Sequence, residues 1–141
     1  MLGAMAGDVL LVQTCKTLIA SPRPLNEILA ETGYSFPSGH VTGRVVFFGV
    51  LTYFAWSHWS SIKVKVLTGG LYVGIATVVG FDRIYLNVHW LSDVVGSVFL
   101  GAFWLLFCIM ALRYLASRRA LRVLKQKSKM NVNVNVSTSL S

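Results

Sequence analysis

The chain has 141 residues, of which 55% are hydrophobic and 13% charged, and its formal net charge is +8 at pH 7. The length fits one domain, and so apolar a composition excludes intrinsic disorder, a coiled coil and a secreted disulfide scaffold. It also argues against a free-standing soluble enzyme, because so few charged side chains cannot cover its surface. Seven of the 13 basic residues lie in one segment without acidic residues: Arg113, Arg118, Arg119, Arg122, Lys125, Lys127 and Lys129. The basicity is therefore local, and we expect no nucleic-acid partner.

The N-terminal stretch, residues 1–19, is apolar but contains Asp8, Gln13 and Lys16. It lacks the basic start of a signal peptide, so we expect a weaker helix of the fold, buried among partner helices rather than facing lipid. Cys15 in this stretch and Cys108 near the other end each lie in an apolar run without a nearby second cysteine. This pattern predicts buried thiols and neither a disulfide nor a zinc site.

Three further stretches are long and apolar enough to cross a bilayer or nearly so: residues 41–57, 66–81 and 94–112. The first two would rise roughly 24–26 Å as helices, slightly less than the ~30 Å hydrocarbon core, and would need neighbouring helices. Small residues recur at helical spacing in the pairs Gly70 and Gly74, Ala76 and Gly80, and Ser92 and Gly96. They either let helices approach closely or reflect the abundance of glycine in membrane helices. The predicted fold class is all-α, a polytopic membrane helical bundle with three clear spans and a weaker N-terminal helix.

The distribution of basic residues predicts the orientation. If the three stretches cross in turn, the loop at 58–65 and the basic segment share one side, with nine basic residues against four on the other. By the positive-inside rule, the C-terminal tail is cytoplasmic and the opposite, extracytoplasmic face carries the remaining polar residues. We therefore expect a membrane-embedded domain at 1–116 and a basic, then low-complexity, cytoplasmic tail at 117–141, without regular structure beyond Met130.

Three polar groups fall on that extracytoplasmic face: Lys16 with Arg23 and Pro24; Pro37, Ser38, Gly39 and His40; and Arg83 with His89 and Asp93. Taken singly, each has a plain structural explanation: a lysine that snorkels from a helix end, a serine N-cap, and a histidine paired with a carboxylate one turn away. Together they bring three cations to one face. Such a set calls for an anion with more than one charge, and a phosphate ester fits because its oxygens match guanidinium groups.

The remaining polar residues supply the chemistry for phosphoryl transfer. Ser38 as N-cap would leave the Gly39 and His40 N–H groups directed at a bound anion. His89 is the better nucleophile, because Asp93 can accept from one ring nitrogen and keep the other unprotonated. His40 is then the acid that protonates the leaving alkoxide.

A metal site is the alternative reading of the same residues. His40, His89 and Asp93 are three possible ligands. However, the three neighbouring cations would repel a metal ion and already neutralise a phosphate. We expect no metal and no cofactor.

The order and spacing Lys16-x6-Arg23-Pro24, Pro37-Ser38-Gly39-His40 and Arg83-x5-His89-x3-Asp93 resembles the three-part signature of the type 2 phosphatidic-acid phosphatase superfamily. That superfamily also contains the vanadium haloperoxidases. The resemblance implies a helical membrane phosphatase, a phosphoric ester hydrolase without a metal requirement. It makes His89 the nucleophile that forms a phosphohistidine, Asp93 its orienting partner and His40 the general acid. The phosphate ligands that it implies are Lys16, Arg23, Arg83, Ser38 and Gly39.

The chain departs from the family pattern in three respects. Asp82 stands before Arg83, where the family commonly has serine, and Arg44 follows one turn after His40. Membrane members typically have two spans before the first motif, whereas this chain starts almost at that motif. We therefore expect either an N-terminally truncated product or missing helices supplied by an oligomer or another partner.

Three functions remain open on the sequence. The first is a phosphatase that hydrolyses a phosphomonoester or diphosphate of a membrane lipid through a phosphohistidine. The second is a truncated, non-catalytic membrane protein that binds phosphorylated lipid or packs in an assembly. The third is a haloperoxidase with bound vanadate, against which the hydrophobicity argues.

Overall fold

The computed structural model describes residues 2–24, 28 and 31–139, with side chains up to Lys127. The described residues form four helices and no strand: α1 (Leu2–Ile19), α2 (Gly39–His58), α3 (Ile62–Tyr85) and α4 (Leu91–Ser139). The predicted all-α class is confirmed. The chain divides into two compact units, Met1–Leu106 and Phe107–Ser141. The described part of the second unit is the C-terminal part of α4.

Helix α2 is the inner helix of the first unit. One side of it is buried through Val41, Thr42, Val45, Val46, Gly49 and Val50. Val41 and Val45 form the buried core with Val94 of α4, and partly buried residues of α3 such as Tyr72 and Ala76 pack against it. α1 also packs on α2. The core therefore lies along α2, and its N-terminus is held between neighbouring helices.

Three helical stretches can cross a membrane by length and composition: α1, α3 and the Leu91–Lys127 part of α4. α1 is the least apolar of the three, which agrees with the weaker helix expected there. α2, which contains the span predicted at residues 41–57, falls outside this set. Its polar N-terminal residues lower its hydropathy, and its inner position means that it need not be as apolar as a lipid-facing helix. The expectation that α1 is buried among partner helices is met only at Asp8 and Val12, the two buried residues of this helix; Asp8 lies close to Gly43 of α2.

The structure tests two further expectations, on the cysteines and on the C-terminal tail. Cys15 and Cys108, predicted to be buried thiols, are each only partly buried. The prediction that the chain has no regular structure beyond Met130 is wrong, because α4 continues to Ser139. Asn and Val are weak helix formers, but extending an existing helix avoids the unfavourable nucleation step.

The small residues differ in what they contact. A Cβ built on Gly80 would lie 2.9 Å from Val94, and one on Gly96 would lie 2.6 Å from Phe36, so both allow close approach. A Cβ built on Gly70 or Gly74 would meet no atom of the described residues within 4 Å, apart from the backbone of its own helix. Close helix packing therefore accounts for Gly80 and Gly96 but not for the pair Gly70 and Gly74.

Gly101 of α4 lies against a backbone atom of α2, and it provides a test of the α2–α4 packing. A Cβ there would lie 2.9 Å from Val45 Cγ1 and 3.2 Å from the carbonyl oxygen of Thr42. Because the backbone of α2 cannot yield, we expect Gly101→Ala to destabilise the protein by about 1–3 kcal/mol.

Gly70→Ala is the matched control, since it gains up to about 1 kcal/mol of helix propensity without a clash. Thermal unfolding of the two variants in the same detergent measures the difference. Equal melting temperatures would contradict the close packing of α2 on α4.

Candidate functional site

The predicted site residues come from four places in the sequence that the fold brings to one end of the bundle. α1 and α3 end there, and α2 and α4 begin there. Hydrogen bonds join these segments: Lys16 Nζ donates to the Tyr34 carbonyl at 2.5 Å, and the Ser38 N–H donates to Ser97 Oγ at 2.7 Å. The three motifs therefore meet at one site.

A cavity of about 350 Å³ opens at this end of the bundle. Five of the eight predicted site residues line it: Lys16, Arg23, Gly39, His40 and His89. The other three lie directly behind its wall. Arg83 pairs with the cavity residue Glu31, Asp93 lies beyond His89, and Ser38 precedes Gly39. A larger cavity of about 470 Å³ between α2, α3 and α4 is almost wholly apolar, and Tyr72 and Thr77 contribute the only hydroxyl groups among its lining residues.

His89 is almost completely buried, with 1% of its side chain exposed. Its Nδ1 lies 3.9 Å from Asp93 Oδ2, which is too long for the direct hydrogen bond that the sequence predicts. Ser35 stands between them: its Oγ lies 3.3 Å from His89 Nδ1, and its hydroxyl donates to Asp93 Oδ2. The Trp90 N–H donates to the same carboxylate oxygen at 3.1 Å. Asp93 therefore acts on His89 through Ser35.

This arrangement assigns the proton positions on the His89 ring. The single hydrogen of the Ser35 hydroxyl is committed to Asp93, so that only its oxygen can meet Nδ1. Nδ1 then carries the ring proton, and the unprotonated Nε2 lies on the cavity side. Burial, followed by the positive charges of Arg23 and Lys16, lowers the pKa of His89 to about 4. The imidazole is consequently neutral at physiological pH.

Backbone carbonyls hold Arg23 in place. Its Nε donates to the Gly33 carbonyl at 3.0 Å, and its Nη1 donates to the Val88 carbonyl at 2.9 Å. Val88 immediately precedes His89, so the guanidinium group is fixed beside the buried imidazole. The sequence predicts the cation but not these partners, because they lie in irregular segments.

A carboxylate that the sequence analysis did not select lies between the two arginines. Glu31 Oε2 is 3.1 Å from Arg23 Nη1, and Glu31 Oε1 is 3.0 Å from Arg83 Nη1. Asp82 binds the other edge of Arg83, with its Oδ2 2.9 Å from Nε. Neither Glu31 nor Ser35 belongs to a periodic pattern or to one of the three motifs, so no signal in the sequence singled them out.

The start of α2 differs in detail from the prediction. Ser38 is the N-cap residue, but its side chain makes no capping hydrogen bond. Its buried Oγ has no hydrogen-bond partner among the described residues. The Gly39 and His40 N–H groups, in the first turn, have no intrahelical acceptor. Arg44, noted for its unusual position, lines the same cavity, and its Nη1 donates to the His40 carbonyl at 3.2 Å.

The described residues do not bring together three or more His, Cys, Asp or Glu side chains able to hold a metal ion. In particular, His40, His89 and Asp93 do not form such a group. The arrangement instead offers a neutral imidazole nitrogen, cationic side chains and helix N–H groups around one cavity. Those groups can bind an anion and attack it.

Comparisons with known proteins identify the family of the chain. The family model of the PAP2 superfamily matches residues 1–117. Phosphatidylglycerophosphatase B of Bacillus subtilis (strain 168) is 34% identical over 106 residues, which are 72% of this chain and 51% of that protein. The putative undecaprenyl-diphosphatase YbjG of Escherichia coli (strain K12) is 35% identical over 67 residues, which are 48% of this chain and 29% of that protein. The chain thus spans about half the length, or less, of these curated relatives.

Two solved structures share the fold. The transmembrane PAP2 type phosphatidylglycerolphosphate phosphatase from Bacillus subtilis superposes with a TM-score of 0.72 at 31% identity, over 80% of this chain and 57% of that one. Aquifex aeolicus LpxE gives a TM-score of 0.59 at 27% identity, over 76% of this chain and 63% of that one. With its apolar helices and these neighbours, the chain is an integral membrane protein. The family match, which covers most of the chain, shows that it belongs to the PAP2 superfamily.

Proposed function

We propose that the chain is a lipid-phosphate phosphatase that hydrolyses a phosphomonoester or diphosphate of a membrane lipid through a phosphohistidine on His89, without a metal ion. The observation that carries this proposal is the neutral, buried His89 imidazole, whose unprotonated nitrogen lies beside a cavity lined by Lys16 and Arg23. Relatives described as a phosphatidylglycerophosphatase and a putative undecaprenyl-diphosphatase support a phosphorylated lipid as substrate.

Substrate binding draws on the cations and on the start of α2. Lys16, Arg23 and Arg83 would neutralise the phosphate, whose oxygens suit the guanidinium forks. The Gly39 N–H and the Ser38 hydroxyl, which has no partner among the described residues, would bind further oxygens. Since these positive charges take the part that a metal ion plays elsewhere, the reaction needs no metal.

The reaction proceeds in two steps. His89 Nε2 donates its lone pair to phosphorus, the bond from phosphorus to the leaving oxygen breaks, and His40 donates a proton to that oxygen. The phosphorylated imidazole carries a positive charge, which Asp93 stabilises through Ser35. In the second step, a water molecule loses a proton to His40 and attacks phosphorus. The bond from phosphorus to Nε2 breaks, and inorganic phosphate leaves with the histidine restored.

Phosphate release from lipid phosphates by the purified chain in detergent tests this mechanism. We expect His89→Ala to reduce release to background, because no other group replaces the nucleophile. We expect Arg83→Ala to lower it by roughly 10²–10³-fold, because a charge-stabilising contact is lost. EDTA should leave the wild-type rate unchanged, and rapid acid-free quenching with radiolabelled substrate should trap a phosphohistidine.

His58→Ala is the matched control, because His58 is an exposed histidine at the opposite end of α2 and should retain full activity. Equal activity of the wild type and His89→Ala would refute the mechanism. Binding of lipid phosphate without turnover in the wild type would instead support the non-catalytic alternative.

The protonation state of His89 gives a pH-dependent prediction. Nitrogen-15 NMR of labelled histidine should show one ring that stays neutral until the pH falls to about 4, in the form protonated at Nδ1. The cause is burial, which disfavours the charged form. The signal is assigned by its absence in His89→Ala.

Ser35→Ala should remove the preference for the Nδ1 proton, because the acceptor for that proton is lost. A His89 midpoint near 6.5, the ordinary value for histidine, would contradict the buried neutral imidazole. An unchanged proton position in Ser35→Ala would contradict the role of Ser35.

We also propose that the site lies on the extracytoplasmic face and that the C-terminal tail is cytoplasmic, from the excess of basic residues in the loop at 58–65 and the tail. In bacteria expressing the chain, a green fluorescent protein fused after Ser141 should fluoresce. A secreted alkaline phosphatase fused at the same place should be inactive, since it requires an oxidising compartment. The reverse pattern would overturn the orientation.

A further inference from the structure

Glu31 occupies a central position among the phosphate-binding groups. Its two oxygens pair separately with Arg23 at 3.1 Å and with Arg83 at 3.0 Å, so that one carboxylate bridges both guanidinium groups. Oε2 also lies 3.9 Å from His89 Nε2, the nitrogen assigned as the nucleophile. Glu31 lines the cavity, and its side chain is only 20% exposed. The protein therefore holds an anion of its own where the substrate anion has to bind.

The carboxylate and a substrate phosphate cannot share this position. A reacting phosphorus has to come within about 3–3.5 Å of Nε2, with its oxygens on the same arginines. We propose that Glu31 is a built-in competitor for the phosphate position and thereby a specificity-determining residue. A phosphate group with two negative charges displaces it, whereas the singly charged phosphodiester of an intact phospholipid does not. This inference rests on the proposed function, because it assigns the phosphate to Arg23 and Arg83.

Charge and tethering decide this competition. The terminal phosphate of a monoester carries about −1.5 to −2 charges at pH 7 and three acceptor oxygens. A phosphodiester has one charge and two free oxygens, the same as the Glu31 carboxylate. Since Glu31 is attached to the chain, its effective concentration at the arginines is high. A singly charged group in solution gains no electrostatic energy by displacing Glu31, whereas a phosphate with a greater charge does.

The arginines keep other partners when Glu31 leaves. Arg23 retains the Gly33 and Val88 carbonyls, and Arg83 retains Asp82. Displacing Glu31 therefore frees a donor at Nη1 of each guanidinium group without releasing the side chain. The site stays aligned for the incoming phosphate.

Asp82 supplies the matched control. It also binds Arg83, but its side chain is 47% exposed and it does not line the cavity. Glu31→Gln and Asp82→Asn each remove one negative charge next to Arg83 with little change in shape. Only the first removes a charge from the phosphate position.

The experiment measures equilibrium binding of inorganic phosphate to the full chain in detergent by isothermal titration calorimetry. We expect Glu31→Gln to bind phosphate at least about ten-fold more tightly than the wild type, a change of about 1.4 kcal/mol. Asp82→Asn should change the affinity less than about three-fold. Phosphatidylglycerol, a phosphodiester lipid added in mixed micelles, should displace phosphate from Glu31→Gln but not from the wild type.

Several outcomes would overturn the inference. Unchanged or weaker phosphate binding in Glu31→Gln would mean that the carboxylate supports the arginines rather than competing for them. An equal gain in Asp82→Asn would mean a general effect of charge, and failure of phosphatidylglycerol to compete in Glu31→Gln would remove the specificity argument. If Glu31→Gln does not fold, Glu31→Asp serves instead, since its shorter side chain cannot bridge both arginines and should also tighten binding; no gain there would likewise overturn the inference.

The readout separates this inference from the proposed function. Phosphate binding needs no turnover. If the chain hydrolyses no lipid phosphate but Glu31→Gln binds phosphate more tightly, competition by Glu31 is supported and the phosphatase activity is refuted. If the chain hydrolyses lipid phosphates but Glu31→Gln shows no gain in phosphate affinity, the phosphatase activity is supported and only the competition by Glu31 is refuted.

Discussion

Mutual repulsion of positive charges is the constraint on which the site depends. Lys16, Arg23 and Arg83 lie together at one end of an apolar bundle, and the burial of the two arginine side chains limits their screening by water. The fold offsets the repulsion with carbonyl oxygens from the irregular segments, with the Glu31 carboxylate that both arginines share, and with Asp82 beside Arg83. An incoming phosphate would take over that compensation, so the same electrostatic requirement governs both the resting structure and the proposed binding of substrate.

Burial serves the chemistry in a different way at His89. A histidine in water would be partly protonated near neutral pH and would lose its free lone pair. Enclosing the ring between the start of α4 and the loop before α2 keeps it neutral, and Ser35 passes the effect of Asp93 to Nδ1. α2 makes this enclosure possible, because it is the inner helix and carries Gly39 and His40 to the cavity at its N-terminus.

Motif spacing predicted much of the site. Lys16, Arg23, Gly39, His40 and His89 line one cavity, and Arg83, Asp93 and Ser38 lie behind its wall. The direct contact between His89 and Asp93 was not predicted correctly, since spacing by one helical turn assumes that both lie in the same helix. His89 precedes the first residue of α4, and the intervening gap admits the Ser35 hydroxyl.

The sequence by itself determined the fold class, the family signature and the charged and histidine residues of the candidate site, because long apolar stretches and motif spacing are properties of neighbouring residues. Only the tertiary structure decided that α2 is the inner helix, that Gly101 rather than Gly70 lies against a neighbouring backbone, and that Glu31 bridges two arginines. These features depend on contacts between residues far apart in the chain. An irregular segment such as the one that holds Glu31 has no periodicity from which its partners could be read.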